Sequence, residues 1–155
     1  MSATHNEKNF KASVDRYICI ELDEETTKPL AAAVEKLPGA PIKKLHVTIV
    51  HSLDAAKNTE AMKMWNDAIK LVGEEETVKV MRFKQEPGVL TAAEAILRPE
   101  LADLVASRVP HISLRLEKGH KAVESRYTLS NEKVPMQTFE NEFVLKGKIK
   151  MMGRA

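Results

Sequence analysis

Two short stretches of the chain are apolar apart from one histidine and, two residues further on, one hydroxyl residue. Residues 45–50 carry His46 and Thr48, and residues 110–114 carry His111 and Ser113. Successive side chains of an extended strand point to opposite faces. We therefore predict two strands on which an imidazole and a hydroxyl share one face, while the apolar residues between them enter a core.

The remaining hydrophobic pattern predicts further strands and helices. Residues 89–97 fit either a helix or one strand of a hairpin, and residues 100–106 fit either helical turns or a strand. The glutamates at 74–76 indicate a solvated turn, and residues 130–138 a loop. Period-2 alternation and helical spacing predict the other elements: strands at 16–22, 42–50, 77–83, 108–116 and 142–151, and helices at 26–37, 59–72 and 121–128.

Composition and length indicate one globular domain. The chain has 155 residues, and we expect a flexible polar segment at 1–13 followed by a single domain at 14–155. A net charge of +2 does not provide the basic surface that long duplex nucleic acid requires. No apolar run approaches the roughly 20 residues of a membrane span. The single cysteine, Cys19, offers no intramolecular disulfide. We expect a cytoplasmic or nuclear monomer that does not bind membranes.

The two histidine motifs suggest acid–base chemistry on a phosphate. Imidazole has an ordinary pKa near 6.5, so one ring can accept a proton while a second donates one. Hydroxyls beside the rings can donate hydrogen bonds to phosphate oxygens. We therefore take His46, Thr48, His111 and Ser113 as candidate catalytic residues. The alternative is that each histidine is a core residue bonded to its own neighbours.

Other residues are weaker candidates for binding a substrate. By alternation Arg115 shares the face of Ser113, and Lys44 shares the face of His46. His120 follows a glycine turn near the second motif, and Tyr17 offers a ring for stacking on a base. His51 has the opposite parity from His46, so we expect it to be structural or exposed. The sequence has no metal-ligand cluster of the usual spacing, and we expect neither a metal nor a cofactor.

The same motifs resemble those of a known superfamily. His46-Val47-Thr48 and His111-Ile112-Ser113 are similar to the paired signature motifs of the 2H phosphoesterases. The surrounding residues 44–51 and 109–114 resemble the cyclic phosphodiesterase domain of plant and fungal tRNA ligases. A Gly-x-x-x-x-Gly-Lys-Ser/Thr kinase loop is absent from the sequence. We therefore expect a domain that stands alone or was excised from a larger ligase.

The resemblance implies a fold and a reaction. The implied fold is α+β with two lobes, in which antiparallel sheets form a central cleft and helices cover the outer faces. The implied reaction is metal-independent hydrolysis of a 2′,3′-cyclic phosphate, at an RNA end or on a small nucleotide, to a 2′-phosphate. RNA repair and tRNA splicing use such a step. The resemblance further implies that His111 acts as base and His46 as acid.

Two alternative functions stay open at the level of sequence. The same site could cleave 2′,5′-oligoadenylates or cyclic oligonucleotide signals, because the residues that select among these substrates lie in loops. The chain could also be a non-catalytic RNA-binding module. Four intact site residues argue against that second alternative, since binding alone does not need two imidazoles.

Overall fold

The computed structural model describes residues 16–153 and shows an α+β fold. Its seven strands form one hydrogen-bonded antiparallel sheet in the order β2-β6-β5-β4-β7-β1-β3. A 3₁₀ turn at Ala122–Glu124 directly precedes the last helix. In chain order, the strands and α-helices are β1 (Arg16–Leu22), α1 (Glu24–Ala33), β2 (Ala40–Pro41), β3 (His46–His51), α2 (Ser52–Lys57), α3 (Thr59–Ile69), β4 (Glu75–Glu86), β5 (Leu90–Glu94), α4 (Pro99–Ala102), β6 (His111–Leu116), α5 (Ser125–Ser130) and β7 (Gln137–Gly153).

Most predicted elements are present, with different ends. The strand at 16–22 matches β1, and the ambiguous residues 89–97 contain the hairpin strand β5. The expected helix at 26–37 ends at Ala33, because residues 34–37 form turns. Helix α2 was not predicted: it is a six-residue helix that starts directly after β3, too short for a periodic signal. The expected flexible segment at 1–13 lies outside the described residues.

The expected solvated turn at residues 74–76 is wrong in part. Glu75 and Glu76 begin strand β4, and the Glu76 side chain is buried. Two nitrogens of the Arg98 guanidinium donate to the Glu76 carboxylate, at 2.9 Å from Nε and 3.0 Å from Nη2. This charge-assisted pair satisfies the buried carboxylate, so a run of glutamates can continue as a strand.

The core lies between the sheet and helices α1 and α3. The apolar face of β1, with Ile18 and Ile20, packs with Val47 of β3 and Ile149 of β7. Asn58 caps α3 by accepting hydrogen bonds from the Glu60 and Ala61 backbone N–H groups, and the helix buries Trp65 in this core. The helices therefore stabilise the sheet from the face that carries the apolar residues of β1 and β3.

The two histidine strands belong to opposite ends of the sheet and still meet. β3 is one edge strand, and β6 is separated from the other edge only by the two-residue strand β2. β3 and β6 nevertheless contact each other. The sheet therefore curves until its ends come together, and the described strands make one continuous sheet where we expected separate sheets. None of the helices within residues 16–153 combines the length and the hydrophobicity that a membrane span requires.

Candidate active site

A cleft of about 420 Å³ lies where the two ends of the sheet meet. The four candidate catalytic side chains all line it: His46, Thr48, His111 and Ser113. Tyr17 lines it as well. The tripeptides that the sequence keeps far apart thus share one cavity large enough for a nucleotide-sized ligand.

The loop that leads into the second motif is tied to the first motif strand. The backbone N–H of Ala106 donates to the carbonyl of Ile49 at 2.8 Å. Arg108, in the same loop, adopts a left-handed φ of 63°, and its guanidinium pairs with Glu60 at the start of α3. The first contact holds the approach to His111 against the strand that carries His46, and the second ties it to α3.

Both motif histidines are oriented in the same way. Nδ1 of His46 lies 3.3 Å from the Lys44 carbonyl, and Nδ1 of His111 lies 2.6 Å from the Val109 carbonyl. A carbonyl oxygen can only accept, so in each ring Nδ1 carries the hydrogen. In the neutral ring Nε2 then keeps its lone pair, and it is the nitrogen that can exchange a proton with a ligand.

The environment of His111 favours its neutral form. Burial lowers the pKa of His111, and the positive charges of His46 and Arg126 lower it further, while the hydrogen bond to Val109 opposes both effects. On the other side of the cleft, His46 faces Glu21 in the register of β1 and β3. The pKa of Glu21 is lowered mainly by its hydrogen bond to Lys150, with a smaller contribution from His46.

The two motif hydroxyls differ in what they can still bind. Ser113 donates to the Ala122 carbonyl at 3.2 Å and lies 2.7 Å from the Ser125 hydroxyl. Because a serine has one hydroxyl hydrogen, Ser125 must be the donor in the second bond. The Thr48 hydroxyl has no partner in the part of the chain that the structure describes. Thr48 is therefore free to donate to a ligand, whereas Ser113 is engaged in tying the segment after β6 to the strand.

A β-bulge follows each motif and changes which side chains share a face. Thr48 pairs with Cys19, and Val50 pairs with Ile18. Because Cys19 and Ile18 are consecutive in β1, Ile49 is an extra residue in β3. His51 therefore returns to the face of His46, and our expectation that it lies on the opposite face is wrong. It lines the cleft and stacks on Tyr17, with ring centroids 6.0 Å apart.

The bulge in β6 has the opposite consequence for Arg115. Ser113 pairs with Ala92 and Arg115 pairs with Thr91, which leaves Leu114 as the extra residue. Because Ala92 and Thr91 are consecutive, Arg115 lies on the other face of the sheet from Ser113. Its guanidinium donates to the Gly39 carbonyl. The expectation that Arg115 shares the face of Ser113 is therefore wrong.

Two further candidates lie outside this cleft. Lys44 lines a neighbouring groove that also contains Glu21, and its charge contributes to lowering the pKa of that carboxyl. Nδ1 of His120 lies within hydrogen-bond distance of the Glu124 carboxylate, at 2.9 Å, and His120 does not line the cleft. Burial raises the pKa of Cys19 to about 12, so its thiol stays protonated, as expected for a core residue.

His51 and Arg126 are among the cleft residues that the sequence did not indicate as site residues. Nδ1 of His51 accepts a hydrogen bond from the Leu53 backbone N–H at 3.1 Å, so in the neutral ring Nε2 carries the hydrogen, unlike in the motif histidines. The His51 signal was hidden by the bulge, and Arg126 lies in a short helix whose sequence gives no indication of a site. Within residues 16–153, no group of three or more His, Cys, Asp or Glu side chains could hold a metal ion.

Comparisons with known proteins identify the fold. No protein-family model matches the chain, and no curated protein matches it in sequence. Its structure is similar to that of a fungal RNA kinase, with a TM-score of 0.64 and 14% sequence identity. The match covers 88% of this chain and 46% of the kinase chain, so this chain spans about half the length of that neighbour. At this identity, the likeness shows a shared fold and no more.

Proposed function

We propose that the chain is a metal-independent phosphodiesterase of the 2H phosphoesterase type, which hydrolyses 2′,3′-cyclic phosphates at RNA ends or on small nucleotides. In this proposal the two ends of the curved sheet correspond to the two lobes of that fold. One observation carries the proposal: two imidazoles with the same backbone-held orientation line one cleft. Similarity to a fungal RNA kinase adds support for a role at RNA ends.

In the proposed reaction, one ring accepts a proton and the other ring donates one. Neutral His111 takes a proton from water, and the oxygen attacks the phosphorus. The bond from phosphorus to O3′ breaks, and protonated His46 gives its proton to O3′. The products are a 2′-phosphate and a free 3′-hydroxyl. The lowered pKa of His111 favours the role of base, and the role of acid then falls to His46, the second motif imidazole of the cleft.

Thr48 supplies a donor for the charge that develops on the non-bridging phosphate oxygens. Its hydroxyl lines the cleft and has no partner among the described residues. A donor that is already oriented toward the developing charge lowers the barrier without reorganisation. The ring centroid of Tyr17 lies 5.8 Å from that of His46 and 6.0 Å from that of His51. Tyr17 therefore gives the cleft an aromatic wall on which a nucleobase can stack.

A product analysis on a substrate panel tests the proposal. The protein is incubated with EDTA and an RNA oligonucleotide that ends in a 2′,3′-cyclic phosphate, and in parallel with 2′,5′-oligoadenylate and a cyclic oligonucleotide. We expect cleavage of the cyclic RNA end to a 2′-phosphate. Preferred cleavage of either other substrate would reassign the substrate class, and tight RNA binding without turnover of any member would replace catalysis with binding.

A further inference from the structure

We propose that Arg126 is the anion-binding residue on the β6 side of the cleft, where its guanidinium receives non-bridging oxygens of the substrate phosphate. The inference deepens the proposed function and rests on it for the identity of the anion. Arg126 lines the cleft together with His111 and Ser113. It follows Ser125, whose hydroxyl is bonded to the second motif.

The guanidinium of Arg126 has hydrogen-bond donors that the protein leaves unused. Its Nη2 donates to the Tyr127 hydroxyl at 2.7 Å, and its Cζ lies 4.8 Å from the centre of the same ring. Nε is buried and has no hydrogen-bond partner in the described structure. No carboxylate among residues 16–153 pairs with it. Buried donors without partners are rare and costly, so a cleft-lining guanidinium that has no carboxylate partner and still has unused donors is suited to an anion.

The cleft needs a donor at this position because Ser113 cannot supply one. The single hydroxyl hydrogen of Ser113 goes to the Ala122 carbonyl. On the β3 side, Thr48 remains free to donate. Arg126 therefore complements Thr48 from the opposite wall, and a guanidinium binds a phosphate with two parallel hydrogen bonds where a serine offers one.

The segment that carries Arg126 is held in place before any ligand arrives. Besides the Ser113–Ser125 bond, Thr128 donates to the Glu86 carboxylate at 2.7 Å, and the Lys121 backbone N–H donates to the Glu124 carboxylate at 2.6 Å. A fixed donor loses little entropy on binding. Lys57 also lines the cleft, but it is exposed on α2. Its charge is therefore screened by solvent more strongly than that of Arg126.

Binding of inorganic phosphate, measured by calorimetry, tests the inference without turnover. Arg126→Gln should weaken phosphate binding about 10- to 100-fold, the usual range for one charge-assisted pair. Arg126→Lys should bind with intermediate affinity. Lys133→Gln is the charge-matched control, since Lys133 is exposed in the loop after α5 and should bind phosphate as the wild type does. Unchanged phosphate affinity in Arg126→Gln would overturn the inference.

A second arm separates this inference from the proposed function. The same variants are assayed with 2′,3′-cyclic AMP, and kcat/KM for Arg126→Gln should fall by the same factor as phosphate affinity. If the wild-type protein is active and Arg126→Gln keeps its kcat/KM, the proposed role of Arg126 is refuted and the proposed function still stands. If the wild-type protein is inactive but Arg126→Gln still weakens phosphate binding, the proposed reaction is refuted and the anion site still stands. Thermal melting of each variant confirms that it is folded.

Discussion

The bond between Ser113 and Ser125 provides a quantitative test of how the second motif is built. Ser125 is 0% exposed, and its hydroxyl lies 2.7 Å from that of Ser113. Ser125→Ala removes one donor and leaves the Ser113 bond to the Ala122 carbonyl intact. The expected loss in the free energy of unfolding is about 1 kcal/mol, the net value of one buried hydrogen bond. For a domain of this length, that loss lowers the melting temperature by about 2–4 °C.

The companion substitutions make the prediction specific. Ser113→Ala leaves the Ser125 hydroxyl and the Ala122 carbonyl unpaired, so we expect a loss of about 2–3 kcal/mol. The double variant should cost no more than Ser113→Ala alone, which gives a coupling energy of about 1 kcal/mol in a double-mutant cycle. Ser130→Ala, at the exposed end of the same helix, is the control and should change stability little.

Urea unfolding followed by fluorescence measures these energies. Trp65 is the single tryptophan of the chain and is 4% exposed, so its emission reports on global unfolding. Additive losses in the double variant would show that the two hydroxyls do not interact. An unchanged midpoint in Ser125→Ala would refute the assignment of Ser125 as the donor to Ser113.

Three further predictions follow from the geometry. Burial and neighbouring positive charges lower the pKa of His111, and the ring can act as a base only when it is neutral. As pH decreases, kcat/KM should therefore begin to fall only below the ordinary histidine range near pH 6.5. A pH–rate profile and NMR titration of the ring check this, and a fall in kcat/KM that begins above that range would contradict it. Arg98→Met should cost about 2 kcal/mol of unfolding free energy, because it strands the buried Glu76 carboxylate, and an unchanged urea midpoint would contradict that pairing. Cys19→Ala should keep wild-type turnover of 2′,3′-cyclic AMP, and iodoacetamide should modify Cys19 only after unfolding; rapid labelling of the native protein would contradict the raised thiol pKa.

Local alternation was enough to predict the motif strands but could not reveal their irregularities. The i, i+2 rule correctly places His46 with Thr48, because the bulge begins only after Thr48. One extra residue at Ile49 then moves His51 into the cleft, and one at Leu114 moves Arg115 out of alignment with Ser113. Bulges depend on how two strands pair, and that pairing is not visible in the pattern of a single strand.

Long-range contacts account for the other differences between sequence and structure. The local sequence around Glu76 indicates a turn, and only Arg98, 22 residues later, makes its burial possible. Arg126 becomes a site candidate only because the 3₁₀ turn and α5 fold back over Ser113. Hydrophobic periodicity reports which face of an element is buried, but it does not report which distant partner will cover that face.

The most direct test of the central claim compares the two motif histidines in one assay. Turnover of 2′,3′-cyclic AMP is measured for the wild type, His46→Ala and His111→Ala in EDTA, with folding of each variant confirmed by melting. If both imidazoles act on one phosphate, each single variant should lose at least about a hundredfold in kcat, and the double variant should lose little more than either. Wild-type turnover by either single variant would contradict the claim that the two rings serve one reaction.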